Sequence, residues 1–338
     1  MTMARIGCAG ILVKDTFCGP LKALPAQGEL VAIESFKTKA GGCAANVAID
    51  LRKQNQPVEL VGCIGQDPAG AYLVKELEVA QVNCDQLAYT DEYPTSETII
   101  LLVEGEDRRY LHSFGANQAF RVIDIDRDWV ATLDLLYFGG LFAMPGIIAD
   151  ELGALLAFAR EQKVITVVDV VLPTGFKRAG EFKKLLSHID WFFPNDGEAA
   201  VLTGKASPLE AIQVLRSWGA RDIIVTLGEQ GSVAVVGNEC WRCQAYRGKA
   251  VDPSGAGDAF ASGLIAGIAN DWDFSRCLRY ASLLGGSATW MIGTTDGVIT
   301  EAQAVRIIAE VPLTISREDL AHPFVSWIEQ DESMENAC

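Results

Sequence analysis

Short apolar runs rich in β-branched residues recur along the chain, separated by amphipathic stretches. Ile6–Gly10, Val58–Val61, Leu135–Phe138, Val164–Val168, Trp191–Phe193, Ile223–Thr226 and Ser232–Val236 have the length and composition of buried strands. Asp150–Lys163 and Leu209–Trp218 place apolar residues at helical spacing between them, and Cys43–Lys53 reads as a further helix. Apolar strands alternating with helices predict a largely parallel sheet covered on both faces. The pattern changes at 98–113. There Ile99-Ile-Leu-Leu-Val103 and Arg109-Tyr-Leu-His-Ser113 flank Glu104-Gly-Glu-Asp107 in the form of a β-hairpin. Strands drawn from about Gly28 to Lys39 are expected to join it in a small separate sheet. The chain shows no internal repeat. Its last stretch, 322–338, is acidic, with Phe324 and Trp327 as the expected docking contact.

The 338 residues suit one large α/β domain with a small appendage. That domain is expected at 1–320, with lid segments at about 12–40 and 93–117, followed by an acidic tail at 321–338. Hydrophobic residues make up 49% of the chain, enough for a sizeable core. No apolar run reaches the ~18 residues of a bilayer span, and the start heads into a strand without a signal-peptide pattern. A formal charge of −16 argues against nucleic acid or an anionic membrane as partner. A phosphorylated ligand remains open, because backbone amides alone can build an anion site. Nine scattered cysteines point to reduced thiols and a cytoplasmic location rather than a disulfide framework. Cys240-Trp-Arg-Cys243 has no second pair or nearby histidine and reads as strand cysteines rather than a zinc site.

The densest chemistry lies at Asp252-Pro-Ser-Gly-Ala-Gly-Asp258, which runs into the small-residue segment Ala259–Gly267. Gly255, Ala256 and Gly257 let the backbone turn tightly and aim successive N–H groups at one point. The helix that follows adds its unpaired amides and the positive end of its dipole, so an anion is expected there. Asp258 stands beside it. A carboxylate next to an anion hole is costly unless it handles a proton, which makes Asp258 a candidate general base; the residue alone is equally consistent with a helix cap. Asn195-Asp-Gly-Glu198 follows a strand and Pro194, on the side where α/β sheets bind ligands. It reads as a ligand loop or as an Asn turn with a helix-start Glu. In Thr226-Leu-Gly-Glu-Gln-Gly231, Gly228 and Gly231 permit close approach of a ribose or phosphate, or serve an ordinary hairpin. Neither a P-loop nor a Rossmann Gly-x-Gly-x-x-Gly is present, which speaks against a dehydrogenase.

Together these stretches resemble the signatures of the ribokinase-like (PfkB) carbohydrate kinases. Asp252–Asp258 resembles the C-terminal signature, and Gly41-Gly-Cys-Ala-Ala-Asn46-Val-Ala48, leading to Gly62–Gly70, resembles the N-terminal one. Asn195–Glu198 looks like the family's Asn-x-x-Glu motif, and Thr226–Gly231 looks like its nucleotide-side loop. The four occur in family order across about residues 5–310. The resemblance implies a three-layer α/β/α domain with a small β-sheet lid, and a homodimer through that lid. It implies ATP-dependent transfer of the γ-phosphoryl group to a hydroxyl of a sugar or sugar-like acceptor. Asp258 is then the general base, with the Gly255, Ala256 and Gly257 amides stabilising the transferring group. Asp15, Gly41, Gly42, Asn46 and Asn117 fall at the acceptor, and Asn195, Thr226, Gly228 and Gly231 at the nucleotide. Glu198 joins Asn195 in the water shell of Mg²⁺. A K⁺ ion is implied beside the anion hole, at Asp252, Ser254, Ala288, Met291 and Gly293. The alternatives are a nucleoside kinase of the same fold and a non-catalytic sugar-binding regulator; a regulator has no need of Asp258.

Three positions depart from ribokinases proper. Val13, Cys43 and Phe142 stand where the family has an Asn, a Lys and a Glu that meet the sugar. Each unmade buried hydrogen bond costs about 1–3 kcal/mol, so ribose is expected to be a poorer acceptor than a larger sugar or a nucleoside. Pro253 stands where relatives often have Thr and removes one N–H ahead of the anion hole, with little expected effect. Arg108 and Arg109 read as a solvated turn rather than as contacts to an acidic substrate.

Overall fold

Nine strands form the main sheet of the computed structural model, which describes residues 3–106 and 108–320. Their spatial order is Ile315–Asp319, Glu239–Cys243, Ser232–Val236, Asp222–Thr226, Trp191–Phe192, Ile165–Val170, Leu135–Leu141, Ile6–Gly10 and Val58–Val61. The pairs from Asp222–Thr226 to Val58–Val61 are parallel, and the other edge is antiparallel. All seven strands expected from the apolar runs are present. Glu239–Cys243 and Ile315–Asp319 extend the edge beyond them.

Side-chain alternation along each strand divides the core between the two faces. Ile6, Cys8, Leu135, Tyr137 and Ala234 enter one apolar cluster, while Ala9, Leu136, Phe138, Val233 and Val235 enter the other. Helices Cys43–Lys53, Pro68–Val79, Ala256–Ala269 and Phe274–Ala288 supply the first cluster. Ala149–Glu161, Ala179–Leu185, Asp196–Thr203 and Pro208–Ser217 supply the second. The result is the expected three-layer α/β/α arrangement. Cys240 and Cys243 fall in opposite clusters, so the Cys-x-x-Cys pair cannot chelate a metal. No helix among the described residues is long and apolar enough to cross a membrane.

Small residues bring two helices together behind the site. A Cβ on Gly263 of Ala256–Ala269 would come within 2.7 Å of the Ala281 Cα of Phe274–Ala288. That closeness holds the start of Ala256–Ala269 against a fully packed neighbour, which fixes its direction.

A second sheet has the order Phe36–Gly41, Val13–Leu21, Glu97–Val103, Arg109–Ser113. The hairpin of Glu97–Val103 with Arg109–Ser113 has the expected strands; its immediate partner is Val13–Leu21, and Phe36–Gly41, which overlaps the expected 28–39, lies beyond that strand. Residues 22–35 form no strand; the chain enters the lid directly after Ile6–Gly10, through the nine-residue strand Val13–Leu21. Its mixed sequence, Val-Lys-Asp-Thr-Phe-Cys-Gly-Pro-Leu, alternates buried and half-buried positions over its first six residues, the mark of a one-sided lid strand. The expected tail at 321–338, including its Phe324–Trp327 contact, and Asp107 lie outside the described residues.

Candidate active site

The anion cradle is built by a left-handed turn. Gly255 caps helix Ala256–Ala269 with φ 76° and ψ 1°, and a Cβ there would lie 1.9 Å from the Thr294 carbonyl oxygen. Only glycine fits. The Asp252 carboxylate fastens both sides of this turn. Its Oδ1 accepts from the Ser254 N–H at 3.0 Å and hydroxyl at 2.7 Å, and its Oδ2 accepts from the Gly293 N–H at 3.1 Å. One expectation is corrected here: the Ala256 N–H donates to the Pro253 carbonyl at 3.3 Å. The donors left open in the first turn are those of Gly257 and Asp258, whose intrahelical acceptors would lie before the helix begins. Space beside Gly257 is clear, since a Cβ there meets nothing within 4 Å.

Asp258 stands in this first turn at the centre of an acidic cluster. Its Oδ2 accepts from Asn46 Nδ2 at 2.7 Å. The Cys43 thiol hydrogen-bonds to it as well, and burial raises its pKa against those two stabilising contacts. Cys43 Sγ and oxygens of Asp169 and Asp258 lie within 4.8 Å of one another. Asp169 accepts from the Tyr137 hydroxyl and from the Gly140 N–H. Burial and the nearby Asp258 hold its carboxyl well above the usual range. Glu198 is pushed to about 7, by burial and, more weakly, by Asp258 and Asp196 against the Asn195 backbone N–H. Crowding of this kind keeps a carboxyl near the pH where it can accept a proton, as general base catalysis requires. Asn46 is 3% exposed, and its Oδ1 has no partner. One turn along the same helix Asp50 is fully buried, neither oxygen hydrogen-bonded, with Lys53 Nζ at 3.9 Å; burial drives its carboxyl far upward.

On the lid side, strand register sets Asp15 opposite Thr98 and Thr98 opposite His112. Asp15 is 6% exposed and pushed to about 7 by burial, with the Thr98 hydroxyl opposing and Asp258 adding. Thr98 Oγ1 is 2.9 Å from His112 Nδ1, which continues the chain of polar contacts into the lid. A Cβ on Gly41 would meet Asp15 Oδ2 at 1.9 Å, so the carboxylate rests directly on that glycine. Gly42, with φ 90°, turns the strand straight into helix Cys43–Lys53, which brings Asn46 to the same cleft as Asp15.

One expected acceptor contact, Asn117, takes another role, and two of the three departures lie in the core. Asn117 is fully buried; its Oδ1 accepts from the Leu12 N–H at 3.2 Å and its Nδ2 donates to the Leu12 carbonyl at 3.1 Å. The side chain therefore pins the lid to the segment after the first strand instead of reaching a ligand. Phe142 adopts φ 79° and packs its ring on Phe176 and Phe182, with centroids 4.7 and 5.9 Å away. It belongs to the core, as does Val13. Of the three departures, Cys43 alone faces the acidic cluster.

At the nucleotide-side strand ends, Asn195 and Glu198 form a reciprocal capping box. Asn195 Oδ1 accepts from the Glu198 N–H at 2.8 Å, and Glu198 Oε2 accepts from the Asn195 N–H at 2.9 Å. The helix-start reading is realised, yet Glu198 still has an oxygen to offer near Asp258. Thr226 bridges to Asn195 and donates its N–H to the Pro194 carbonyl at 3.1 Å. Gly228 is open, with nothing within 4 Å of a Cβ, whereas Gly231 is packed: a Cβ there would lie 2.0 Å from the Cys243 carbonyl oxygen. Gly231 thus serves the hairpin. Around the expected K⁺ site Ala288 is buried and Met291 is exposed, while Asp252, Ser254 and Gly293 share the hydrogen bonds given above.

Sequence reading missed Asp169 and Tyr137. The signal was present: an Asp near the carboxyl end of a valine-rich, largely buried strand, Ile165–Val170, must find partners or a ligand.

A glycine-capped helix start beside a half-buried carboxylate, at the carboxyl ends of a parallel sheet, is the arrangement expected of a group-transfer enzyme acting on an anionic donor. Residues 3–301 match the pfkB family carbohydrate kinases, and the chain belongs to that family. It is 26% identical over 272 residues to a ribokinase of Arabidopsis thaliana, covering 78% of this chain and 70% of the relative. It is 27% identical over 302 residues to an ATP-dependent ribose-1-phosphate kinase of Halopiger xanaduensis, covering 89% and 97%. The structure of Arabidopsis thaliana ribokinase complexed with ribose and ATP superimposes with a TM-score of 0.78 at 21% identity, covering 91% of this chain and 99% of that one. A putative ribokinase II of E. coli in complex with ATP and Mg²⁺ gives 0.78 at 18% identity, covering 91% and 100%. The fold is ribokinase-like, and the enzyme is a carbohydrate kinase, a phosphotransferase with an alcohol group as acceptor.

Proposed function

We propose that the protein transfers the γ-phosphoryl group of ATP to a hydroxyl of an uncharged, hydroxyl-rich sugar or sugar-like acceptor, with Asp258 as general base. The observation that carries this reading is the placement of the Asp258 carboxyl in the helix turn that offers the Gly257 and Asp258 amides. The acceptor hydroxyl gives its proton to Asp258 as its oxygen bonds to phosphorus and the bond to ADP breaks. The cradle amides and helix dipole stabilise the charge on the transferring oxygens. Asn46 holds Asp258 by the 2.7 Å contact, and Asp15 accepts from acceptor hydroxyls on the lid side. The free oxygen of Glu198, with Asn195 beside it, is a hard donor suited to the water shell of Mg²⁺, which offsets phosphate charge when bound.

The acceptor class follows from donor and acceptor count. Asp15 and Asp258, when ionised, and the unpartnered Asn46 Oδ1 offer acceptor oxygens, so a ligand that donates hydrogen bonds fits the site. Hydroxyls do so; a phosphate or carboxylate would add repulsion. ADP release measured over ribose, hexoses, sugar acids, sugar phosphates and nucleosides tests this. Neutral acceptors are expected to lead. Val13, on the same strand face as Asp15, and Cys43 leave at least two such bonds unmade at ~1–3 kcal/mol each, which places ribose roughly two to four orders of magnitude below the best of them in kcat/KM. A sugar phosphate or sugar acid ahead of every neutral compound sinks the acceptor assignment. Silence across the whole panel favours the binding-protein reading.

A K⁺ ion is proposed at Asp252, Ser254, Ala288, Met291 and Gly293, where a cation would brace the turn that Asp252 already ties to Gly293. The rate is expected to be higher in K⁺ than in Na⁺ or choline, and equal rates in the three salts would remove the site. The lid presents Phe36, Ile99 and Leu111 to solvent on one side of its sheet, an apolar face that supports a homodimer formed there.

A further inference from the structure

Cys43 Sγ, an Asp169 oxygen and an Asp258 oxygen converge within 4.8 Å from three separate elements: a helix start, a strand end and a helix first turn. Convergence from rigid elements is how metal-ligating sets are held. Two of the three are also steadied from behind. The Tyr137 hydroxyl and the Gly140 N–H grip Asp169, and Asn46 Nδ2 grips Asp258 at 2.7 Å. Outer contacts of this kind fix the direction of ligating carboxylates. The carboxamide that touches Asp258 also carries a buried oxygen without a hydrogen-bond partner: Asn46 Oδ1, on a residue 3% exposed.

One thiol sulfur with two carboxylate oxygens is a donor set for a borderline-soft cation. Mg²⁺ prefers all-oxygen surroundings, and thiolate selects Zn²⁺ over it. Bonds of about 2.3 Å to sulfur and 2.0–2.2 Å to oxygen require the three atoms to draw together by roughly 1 Å, within reach of side-chain torsions. We propose that Cys43, Asp169 and Asp258 bind Zn²⁺, and that the bound ion excludes the phosphoryl acceptor by occupying Asp258. Binding forms a Zn–S bond as the Cys43 thiol releases its proton to solvent, and no electron is transferred. The site is distinct from the Asn195–Glu198 position assigned to Mg²⁺. Its inhibitory consequence rests on the proposed role of Asp258; Zn²⁺ binding itself does not.

Zn²⁺ affinity of the full chain, measured by competition with a chromophoric chelator, tests the site without any turnover. The wild type is expected to bind one Zn²⁺ that Cys43→Ser and Asp169→Asn each weaken at least tenfold. Cd²⁺ is expected to give a thiolate charge-transfer band that Cys43→Ser removes, and circular dichroism checks that both variants are folded. Unchanged affinity in both folded variants overturns the proposal. In steady-state assays Zn²⁺ is expected to compete with the acceptor, and competition with ATP alone overturns the exclusion step. A Zn²⁺ site that behaves as expected in a protein silent on every acceptor upholds this inference and removes the kinase reading of Asp258.

Discussion

Asp258→Asn is expected to lower kcat by about 10²–10⁴ while leaving the fold and acceptor binding in place, the range that general base catalysis supplies. The replacement keeps size and shape. The new carboxamide oxygen can still accept from Asn46 Nδ2, now at 2.7 Å from Asp258, and from the Cys43 thiol. The cradle is formed by backbone amides and survives. What disappears is the one group in the helix turn able to take a proton from the acceptor hydroxyl. Loss of a charge from a crowded acidic cluster also relieves Asp169, whose carboxyl Asp258 raises, so stability is not expected to fall. Acceptor affinity by calorimetry and kcat by coupled ADP release separate the two effects. Near-normal turnover in this variant would assign the proton to another group.

Most of the main sheet was legible because its strands are apolar on both faces and bounded by turn residues, as in Ile6–Gly10 and Ser232–Val236. Period-two strands with one exposed face are harder to read. Val13–Leu21 hides behind Lys14, Asp15, Gly19 and Pro20, so its place beside the hairpin went to 28–39, of which only 36–39 lie in a strand, Phe36–Gly41, at the far edge of the same sheet. The site divides in the same way. Gly255, Gly41 and Gly42 were found because a backbone that must turn or be approached closely leaves glycine in the sequence. Asp169 was not, because a single acid in a valine-rich strand is informative only once Tyr137, Gly140, Cys43 and Asp258 are seen around it, and all four are distant in sequence. Asn117 points the other way: its type and lid position suggested a ligand contact, and the structure shows it fully buried, with each end of its amide bonded to Leu12. Asn195 and Glu198 were legible as a pair. Their spacing of three residues fits both a capping box and a ligand loop, and the structure realises the first without removing the second.

Gly255→Ala is expected to cost more than any single ligand contact, about 10³-fold or more in kcat/KM. Ala at φ 76° carries the left-handed penalty of roughly 1–2 kcal/mol. Its Cβ would also lie 1.9 Å from the Thr294 carbonyl oxygen, 2.7 Å from its carbon and 2.9 Å from its Cα, all main-chain atoms that no side-chain rotation can move. Relief requires the 252–257 turn and the 293–297 segment to separate. That breaks the 3.1 Å bond from the Gly293 N–H to Asp252 and re-aims the amides of Gly257 and Asp258 together with the Asp258 carboxyl. Misplacing donors that face a transferring group costs about 10²–10³ in rate, and displacement of the base adds to it. ATP affinity should weaken as well, which distinguishes this variant from Asp258→Asn. Gly105→Ala is the control. Gly105 also sits at positive φ, 75°, in the lid turn, but a Cβ there meets nothing within 4 Å, so it isolates backbone strain from damage to the cradle. If Gly255→Ala keeps ATP affinity and turnover close to those of Gly105→Ala, the helix turn is not the phosphoryl cradle.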